Sequence, residues 1–341
     1  MAPDSFRLSQ LAARRWRFSV VFCLMVANLG MATLVDPAGA IPLLTTPTPH
    51  DPTVASPLRS ADLSKPPAVL PFQQSSRPGE GQWRAVGRRV GTQVAVYVTT
   101  LRLPDNASVI AGIAWMDTRI LRATLYSGSL SPGGVGWKYS APISAAASTT
   151  LVAAFNGGFL LKDSNGGYLS EGRLVAPLRV GAASLVIYKS GFVTVGQWGR
   201  DVGMTSNVVA VRQNLTLLVD HGQPVPGLNP GDILKWGWSL HGVVNAWRSG
   251  LGVTANGAMV YVVGPMNIVD LAAVLVRAGA VRAMTLDMNP LWPVFASYAP
   301  AGPRGRATPA NGTDLLPNLQ QSPARFFQPA YTRDFVTMSV R

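Results

Sequence analysis

The chain has 341 residues, of which 48% are hydrophobic and 13% are charged. This length and hydrophobic content exclude a chain that is disordered throughout and allow one sizeable core or two small ones. Its 29 Lys and Arg residues outnumber its 16 Asp and Glu residues, and the net charge of +13 favours polyanionic neighbours. The basic residues form no long run and do not alternate with aromatic residues, so the sequence predicts no binding to nucleic acid.

The N-terminal part of the chain has the pattern of an export signal. Residues 1–17 are basic, and an uncharged stretch over 18–35 follows before the small residues at 38–40. We expect residues 18–40 to act as a signal peptide, with an uncleaved membrane anchor through 18–35 as the alternative. The positive charges would keep residues 1–17 in the cytoplasm, so the sequence predicts an exported protein, extracellular or in the cell envelope.

The sequence then changes composition twice. Residues 41–90 are rich in Pro, Ser and Thr, which is typical of an extended spacer. Beyond them, "TQVAVYVTTLRL", "SLVIYKSGFVTVGQW" and "GLGVTANGAMVYVVG" alternate apolar with polar residues or contain Gly at a turn, which predicts antiparallel hairpins. Residues 91–341 are therefore expected to form a single globular α+β domain, with β-rich mixed or antiparallel sheets and a few packed helices.

One helix is predicted clearly. Ile268, Leu271 and Leu275 recur at helical spacing, Asn267 can cap the start, and Gly279 can end the helix. The helix leads directly into an apolar strand, so we expect a hairpin, helix and strand to pack as one unit.

That strand ends on an acid in a chain with few carboxylates. Asp287 follows "AMTL", and a carboxylate at the rim of a sheet can have its pKa raised by desolvation into a range useful for acid or base catalysis. The alternative is a structural Asp that holds the turn at Asn289 and Pro290. Glu171 and Asp201 have no evident structural role, so they are the candidate catalytic partners of Asp287.

Candidate substrate-binding residues come from glycine-rich turns. In "LVAAFNGGF" a strand ends at Asn156, and Gly157 with Gly158 allows backbone N–H groups to surround an anionic oxygen. An ordinary turn is the alternative interpretation. Tyr168, from the nearby "SNGGYLSEGRL", and Asn289, beside the strand-end acid, complete this set.

An arginine supplies the positive charge that a phosphate would need. Arg248 stands just before a glycine-bearing strand in "NAWRSGLGV", where its guanidinium can bind a phosphate or carboxylate through two hydrogen bonds. A surface salt bridge is the alternative. The three His residues form no close pair and the single Cys lies in the apolar stretch, so we predict no zinc site. No cofactor is required, while a divalent cation held by oxygen atoms stays open.

Three stretches resemble a known family in order and spacing. "AAFNGGF", "WRSGLGVTANGAMVYVVG" and "VDLAAVLVRAGAVRAMTLD" are similar to the phosphodiester glycosidase domain. This is the family of the enzyme that uncovers mannose 6-phosphate by removing N-acetylglucosamine, and it also occurs in bacterial envelope proteins, whose subgroup this chain resembles. The resemblance covers residues 153–298. It implies hydrolysis of a sugar 1-phosphodiester, with the family's Asn-Gly-Gly turn at 156–158, its arginine at Arg248 and its aspartate at Asp287.

The chain departs from this family directly after the aspartate. Glycines and serines commonly follow there, whereas residues 288–292 read "MNPLW". Side chains then occupy a place that backbone groups would line, which leaves open a non-catalytic envelope protein that binds an anionic or phosphate-bearing polysaccharide. Trp247 and Trp292 would then stack on sugars, unless they belong to the core. A scaffold that contacts only other proteins is a third alternative.

Overall fold

The computed structural model describes residues 65–237, 244–302, 304–329 and 331–341. The predicted cytoplasmic segment 1–17 and the predicted signal or anchor 18–40 lie outside the described residues. Within the described ranges, no helix is both long and apolar enough to cross a bilayer.

Three antiparallel sheets make up most of the described fold. The first has eight strands, in the order β1 (Arg84–Val90), β2 (Gln93–Arg102), β3 (Ile110–Met116), β14 (Met259–Met266), β13 (Ala246–Thr254), β15 (Ala280–Thr285), β11 (Leu217–Asp220) and β12 (Gln223–Pro224). The second has the order β7 (Arg173–Ala176), β6 (Tyr168–Ser170), β10 (Val208–Gln213), β8 (Ala183–Tyr188) and β9 (Val193–Gln197). The third has the order β17 (Gly312–Asp314), β16 (Phe295–Tyr298), β5 (Leu151–Asn156), β18 (Phe335–Val340) and β4 (Leu121–Tyr126).

Few helices accompany the sheets, so the predicted β-rich α+β class is confirmed. Among the described residues the α-helices are α1 (Ala145–Ser148), α2 (Ile233–Trp236) and α3 (Ile268–Arg277), with 3-10 turns at Pro309–Asn311 and Pro323–Phe327. A central hydrophobic core joins residues of all three sheets, and α3 covers the other face of the first sheet.

The predicted unit of hairpin, helix and strand is present. Strands β13 and β14 pair along their whole length, and β15 pairs with β13 on its other side. The side chain of Asn267 caps α3 by accepting hydrogen bonds from the N–H groups of Val269 and Asp270. Leu271 and Leu275 are fully buried, and each contributes about 1.5–3 kcal/mol by leaving water. This packing fixes the direction of β15 and therefore the place where Asp287 emerges.

The folded region extends to the N-terminal side of residue 91, the predicted domain boundary. Strand β1 already begins at Arg84, and the Nε1 of Trp83 donates a 2.8 Å hydrogen bond to the carbonyl of Pro67. Arg102 forms a buried 2.9 Å ion pair with Glu80, and this contact lowers the pKa of Glu80 to about 2 against the opposing effect of burial. Proline-rich composition did not reveal these anchors, because each joins residues that are 16 or more positions apart.

Candidate active site

Asp287 lies just beyond the end of β15 and is 2% exposed. Its Oδ1 accepts hydrogen bonds from the N–H of Met288 at 2.8 Å and from the N–H of Asn289 at 2.9 Å. The carboxylate thus closes the turn that follows it, which is the structural role that the sequence left open. The other oxygen, Oδ2, remains to make a different contact.

That contact is with an arginine that the sequence interpretation did not include. A guanidinium nitrogen of Arg333 donates to Oδ2 of Asp287 and, at 3.1 Å, to the carbonyl of Gly158. Arg333 is 6% exposed, and its guanidinium carbon lies 4.8 Å from the centre of the Trp292 ring. Its Nε is buried and has no hydrogen-bond partner in the described part of the chain. The pair therefore retains an unused donor beside the carboxylate.

The surroundings of Asp287 alter its acidity. Burial raises the pKa of Asp287 to about 6, while the charge of Arg333 and the N–H groups of Met288 and Asn289 act in the opposite direction. A carboxylate with this pKa is mostly ionised at neutral pH and can still accept a proton readily. The predicted effect of desolvation at the strand end is thus present.

Asn156 links the glycine turn to Asp287 through one serine. Its Nδ2 donates to Oγ of Ser249 at 3.0 Å, and this Oγ in turn accepts from the N–H of Asp287 at 3.2 Å. The Oδ1 of Asn156 accepts from the hydroxyl of Tyr261 at 2.7 Å and from the N–H of Val294 at 3.1 Å. With all these bonds made inside the protein, Asn156 positions the strand end that carries the acid.

Gly157 and Gly158 are needed for close packing. A Cβ on Gly157 would lie 2.1 Å from Oδ2 of Asp334, and one on Gly158 would lie 3.1 Å from the guanidinium carbon of Arg212. Arg212 and Asp334 form a fully buried ion pair at 2.8 Å. Because neither glycine has a side chain, the turn can pack directly against this ion pair.

A further buried residue connects the turn and the strand end. The Nδ2 of Asn214 donates to the carbonyls of Thr285 and Leu286 at 2.9 and 3.0 Å, and its Oδ1 accepts from the N–H of Phe159 at 3.3 Å. Sequence reasoning missed Asn214 and also Arg333. The available signal was the charged pair in "TRDF", which is unusual at the start of an apolar strand in a chain with few acids.

Arg248 lies on another side of the same turn. It is 3% exposed, its Nε donates to the carbonyl of Met266 at 2.9 Å, and its Nη1 is 3.7 Å from Sδ of Met288. Burial lowers the pKa of Arg248 to about 10. It has no carboxylate partner within the described ranges. Its guanidinium therefore lies without a neutralising carboxylate next to the residue that follows Asp287.

The structure does not bring the two proposed partner acids to Asp287. Glu171 accepts hydrogen bonds from the N–H groups of Lys138 and Tyr139, both at 2.8 Å. Asp201 forms a 2.7 Å ion pair with Arg200 and lies beside the strand β9. The partner of Asp201 is its sequence neighbour, whereas the partners of Glu171 lie on a distant loop that the sequence does not reveal.

The two remaining predicted binding residues have different surroundings. The hydroxyl of Tyr168 is buried 2.9 Å from Oγ of Ser127, and burial together with the charge of Asp334 raises its pKa. Asn289 belongs to the turn closed by Asp287, and its Oδ1 accepts from the N–H of Leu291 at 3.0 Å. In the described residues no group of three or more His, Cys, Asp or Glu side chains is arranged to hold a metal ion.

Fold and site together define a β-rich domain with a buried centre of one carboxylate and two arginines. Such a centre is suited to acid or base chemistry on an anionic substrate. Residues 149–287 match the model of the phosphodiester glycosidase family, a segment that begins just before β5 and ends on Asp287. This match confirms the resemblance predicted from the sequence and points to a hydrolase of the phosphodiester glycosidase class. No protein of curated function matches the chain significantly.

Solved structures show more distant likenesses. The catalytic domain of zebrafish N-acetylglucosamine-1-phosphodiester alpha-N-acetylglucosaminidase, auto-inhibited by its pro-peptide, is 15% identical over 76% of this chain and 88% of its own, with a TM-score of 0.45. A hypothetical protein from Synechocystis is 13% identical over 72% of this chain and 62% of its own, with a TM-score of 0.37. A protein described as exported, from Burkholderia pseudomallei, is 14% identical over 67% and 74%, with a TM-score of 0.37. Scores this low assign no activity to the chain.

Proposed function

We propose that the protein is an exported or membrane-anchored hydrolase that cleaves sugar 1-phosphodiesters in envelope or extracellular glycans. The observation that carries the proposal is the Asp287 carboxylate, which has a pKa raised to about 6 and is paired with Arg333. Arg248 contacts the next residue, Met288. The match of residues 149–287 to the phosphodiester glycosidase family supports the reaction class. Export and anchoring rest on the sequence pattern of residues 18–40 alone.

One carboxylate suffices for this reaction. Hydrolysis breaks the bond between the anomeric carbon and the phosphate oxygen, and water supplies the new oxygen of the sugar. Most glycosidases need a second carboxyl group as the acid that protonates an alkoxide leaving group. A phosphomonoester leaves as a stable anion, so positive charge replaces that proton. Asp287 then acts as the base that takes a proton from the attacking water.

The two arginines provide the positive charge. The buried, unpaired Nε of Arg333 is a free donor for a phosphate oxygen, and Arg248 has no competing carboxylate among the described residues. When a phosphodiester binds Arg333, the guanidinium divides its interaction between phosphate and Asp287. Asp287 then loses part of the contact that lowers its pKa, so substrate binding makes it a stronger base.

Access to Asp287 requires a small displacement of its cover. The carboxylate is 2% exposed, and the guanidinium of Arg333 lies between it and the half-buried ring of Trp292. This burial favours a second candidate function, a non-catalytic envelope protein that binds an anionic or phosphate-bearing polysaccharide. In that case Arg333 and Trp292 bind the polymer and Asp287 only holds the turn.

Turnover by the full chain tests the proposal. We would incubate it with α- and β-linked sugar 1-phosphodiesters of glucose, galactose, mannose and N-acetylglucosamine and measure the phosphomonoester by anion-exchange chromatography. Asp287→Asn is expected to lower the rate at least about 100-fold, as for loss of a general base. The matched control is Asp163→Asn, at an exposed loop position.

Two outcomes would contradict the enzymatic proposal. Equal rates for the parent and Asp287→Asn would remove Asp287 from the reaction. No product from the parent on any substrate, together with polymer binding that persists in Asp287→Asn, would establish the second candidate instead.

A further inference from the structure

A cavity of about 210 Å³ lies beside the proposed active site, between the loop after β4 and the segment that leads into β18. Aromatic rings, serine residues and a proline form much of its wall, contributed by Ser127, Ser129, Trp137, Ser140, Pro329 and Tyr331. The volume is below the roughly 300–1,000 Å³ of pockets for drug-sized ligands. It is therefore suited to one small ring with both an apolar face and hydroxyl groups.

The cavity wall is physically continuous with the Asp287 centre. The ring of Tyr331 is 6.4 Å from that of Trp292. The guanidinium of Arg333 lies over the Trp292 ring and pairs with Asp287. Backbone bonds tie the loop to the same segment, because the N–H groups of residues 130 and 131 both donate to the carbonyl of Thr332, at 3.0 and 2.9 Å. The residues that line the cavity are therefore connected to the Asp287 centre through Tyr331 and Trp292.

The β6–β7 hairpin holds the loop in place. Arg173 donates to the carbonyls of Val135 and Gly136 at 2.8 and 2.7 Å, and its guanidinium carbon lies 4.4 Å from the centre of the Trp137 ring. The Nε1 of Trp137 donates to the carbonyl of Gly133 at 2.8 Å. Glu171 binds the next two N–H groups of the loop. A cavity wall fixed in this way loses little entropy when a ligand binds.

We propose that this cavity binds one sugar ring of the substrate, adjacent to the sugar 1-phosphodiester that Asp287 cleaves. The inference rests on the proposed function for its biological meaning. Trp137 supplies apolar ring surface, while the hydroxyls of Ser129 and Ser140 supply hydrogen bonds. Glu171 and Arg173 act as positioning residues that keep the loop and Trp137 in the binding geometry.

Binding of free sugars to the full chain tests this cavity independently of turnover. The probes are glucose, galactose, mannose and N-acetylglucosamine, detected by saturation-transfer difference NMR and by titration of tryptophan fluorescence. At least one should bind, and Ser129→Trp, which fills the cavity from an exposed position, should abolish binding. The matched control Ser206→Trp, on an exposed turn outside the cavity, should leave affinity unchanged. Circular dichroism and thermal unfolding verify that both variants fold.

A second variant examines the positioning role. Glu171→Gln keeps the size of the side chain but weakens its hold on the loop, so sugar affinity should fall by about two- to tenfold. Absence of binding by every sugar, or equal binding by Ser129→Trp and the parent, would overturn the cavity proposal even if turnover is observed. Sugar binding without any turnover would instead refute the proposed function and leave the cavity intact.

Discussion

The raised pKa of Asp287 predicts a measurable cost to stability at neutral pH. Its pKa is about 6 in the folded protein against an ordinary value of 3.8. Because the folded state binds the proton more tightly, the carboxyl group imposes no penalty below the unfolded pKa. Ionisation progressively destabilises the folded state as pH rises through the folded pKa. A shift of roughly 2 units corresponds to about 3 kcal/mol of lost stability above pH 6.

Asp287→Asn isolates this contribution. The amide cannot ionise, so its effect on stability is a constant offset, which includes the unpaired charge left on Arg333. We expect the free energy of unfolding of the parent to fall by about 3 kcal/mol relative to the variant between about pH 4 and pH 7. Asp314, whose pKa burial raises to about 7, titrates in both proteins and cancels from the difference.

Urea unfolding followed by tryptophan fluorescence at several pH values provides the measurement. Two parallel curves of stability against pH would refute the reasoning, since they would mean that Asp287 titrates alike in the folded and unfolded chains. Asp163→Asn serves as the control and should give a curve parallel to that of the parent, because this residue is exposed.

Three further expectations concern the same centre. With Asp287 as base, kcat/KM on a sugar 1-phosphodiester should rise with pH through about 6 in a pH profile, and a flat profile would exclude that role. Arg333→Met should reduce kcat by about 100- to 1,000-fold, because the positive charge at the leaving phosphate is lost. Arg89→Met, at an exposed position, should leave kcat unchanged. Equal rates for the two variants would contradict the proposed role of Arg333. Gly157→Ala should lower the free energy of unfolding by about 1–3 kcal/mol, because its Cβ would overlap the buried carboxylate of Asp334. Gly203→Ala should be neutral, because the space around Gly203 is open. Equal unfolding midpoints for the two variants would contradict this expectation.

Local patterns predicted the local parts of the site. The run into Asp287, the caps of α3 and the hairpin before it depend on neighbours within a few residues, and all are present in the structure. One oxygen of Asp287 closes the turn, which is the structural role that the sequence offered as an alternative, and the other pairs with an arginine. The catalytic role of Asp287 stays a prediction.

Contacts between segments that are far apart in the chain could not be predicted from the sequence. Arg333 is separated from Asp287 by 46 positions, and no periodicity relates them. Glu171 looked like a catalytic candidate because no turn or cap explained it, yet the backbone N–H groups it binds are about thirty positions earlier in the chain. A carboxylate without a local partner is thus as compatible with holding a remote loop as with catalysis.

The position of β18 has a consequence for biosynthesis. This strand inserts between β5 and β4, which end 179 and 209 residues before it begins, and Arg333 lies just before it in the chain. A nascent chain that has already produced the whole segment 149–287 still has a gap in its third sheet and lacks Arg333, the ion-pair partner of Asp287. The Asp287–Arg333 pair, on which the proposed hydrolysis depends, would therefore form only in a late step, after the ribosome has passed the strand.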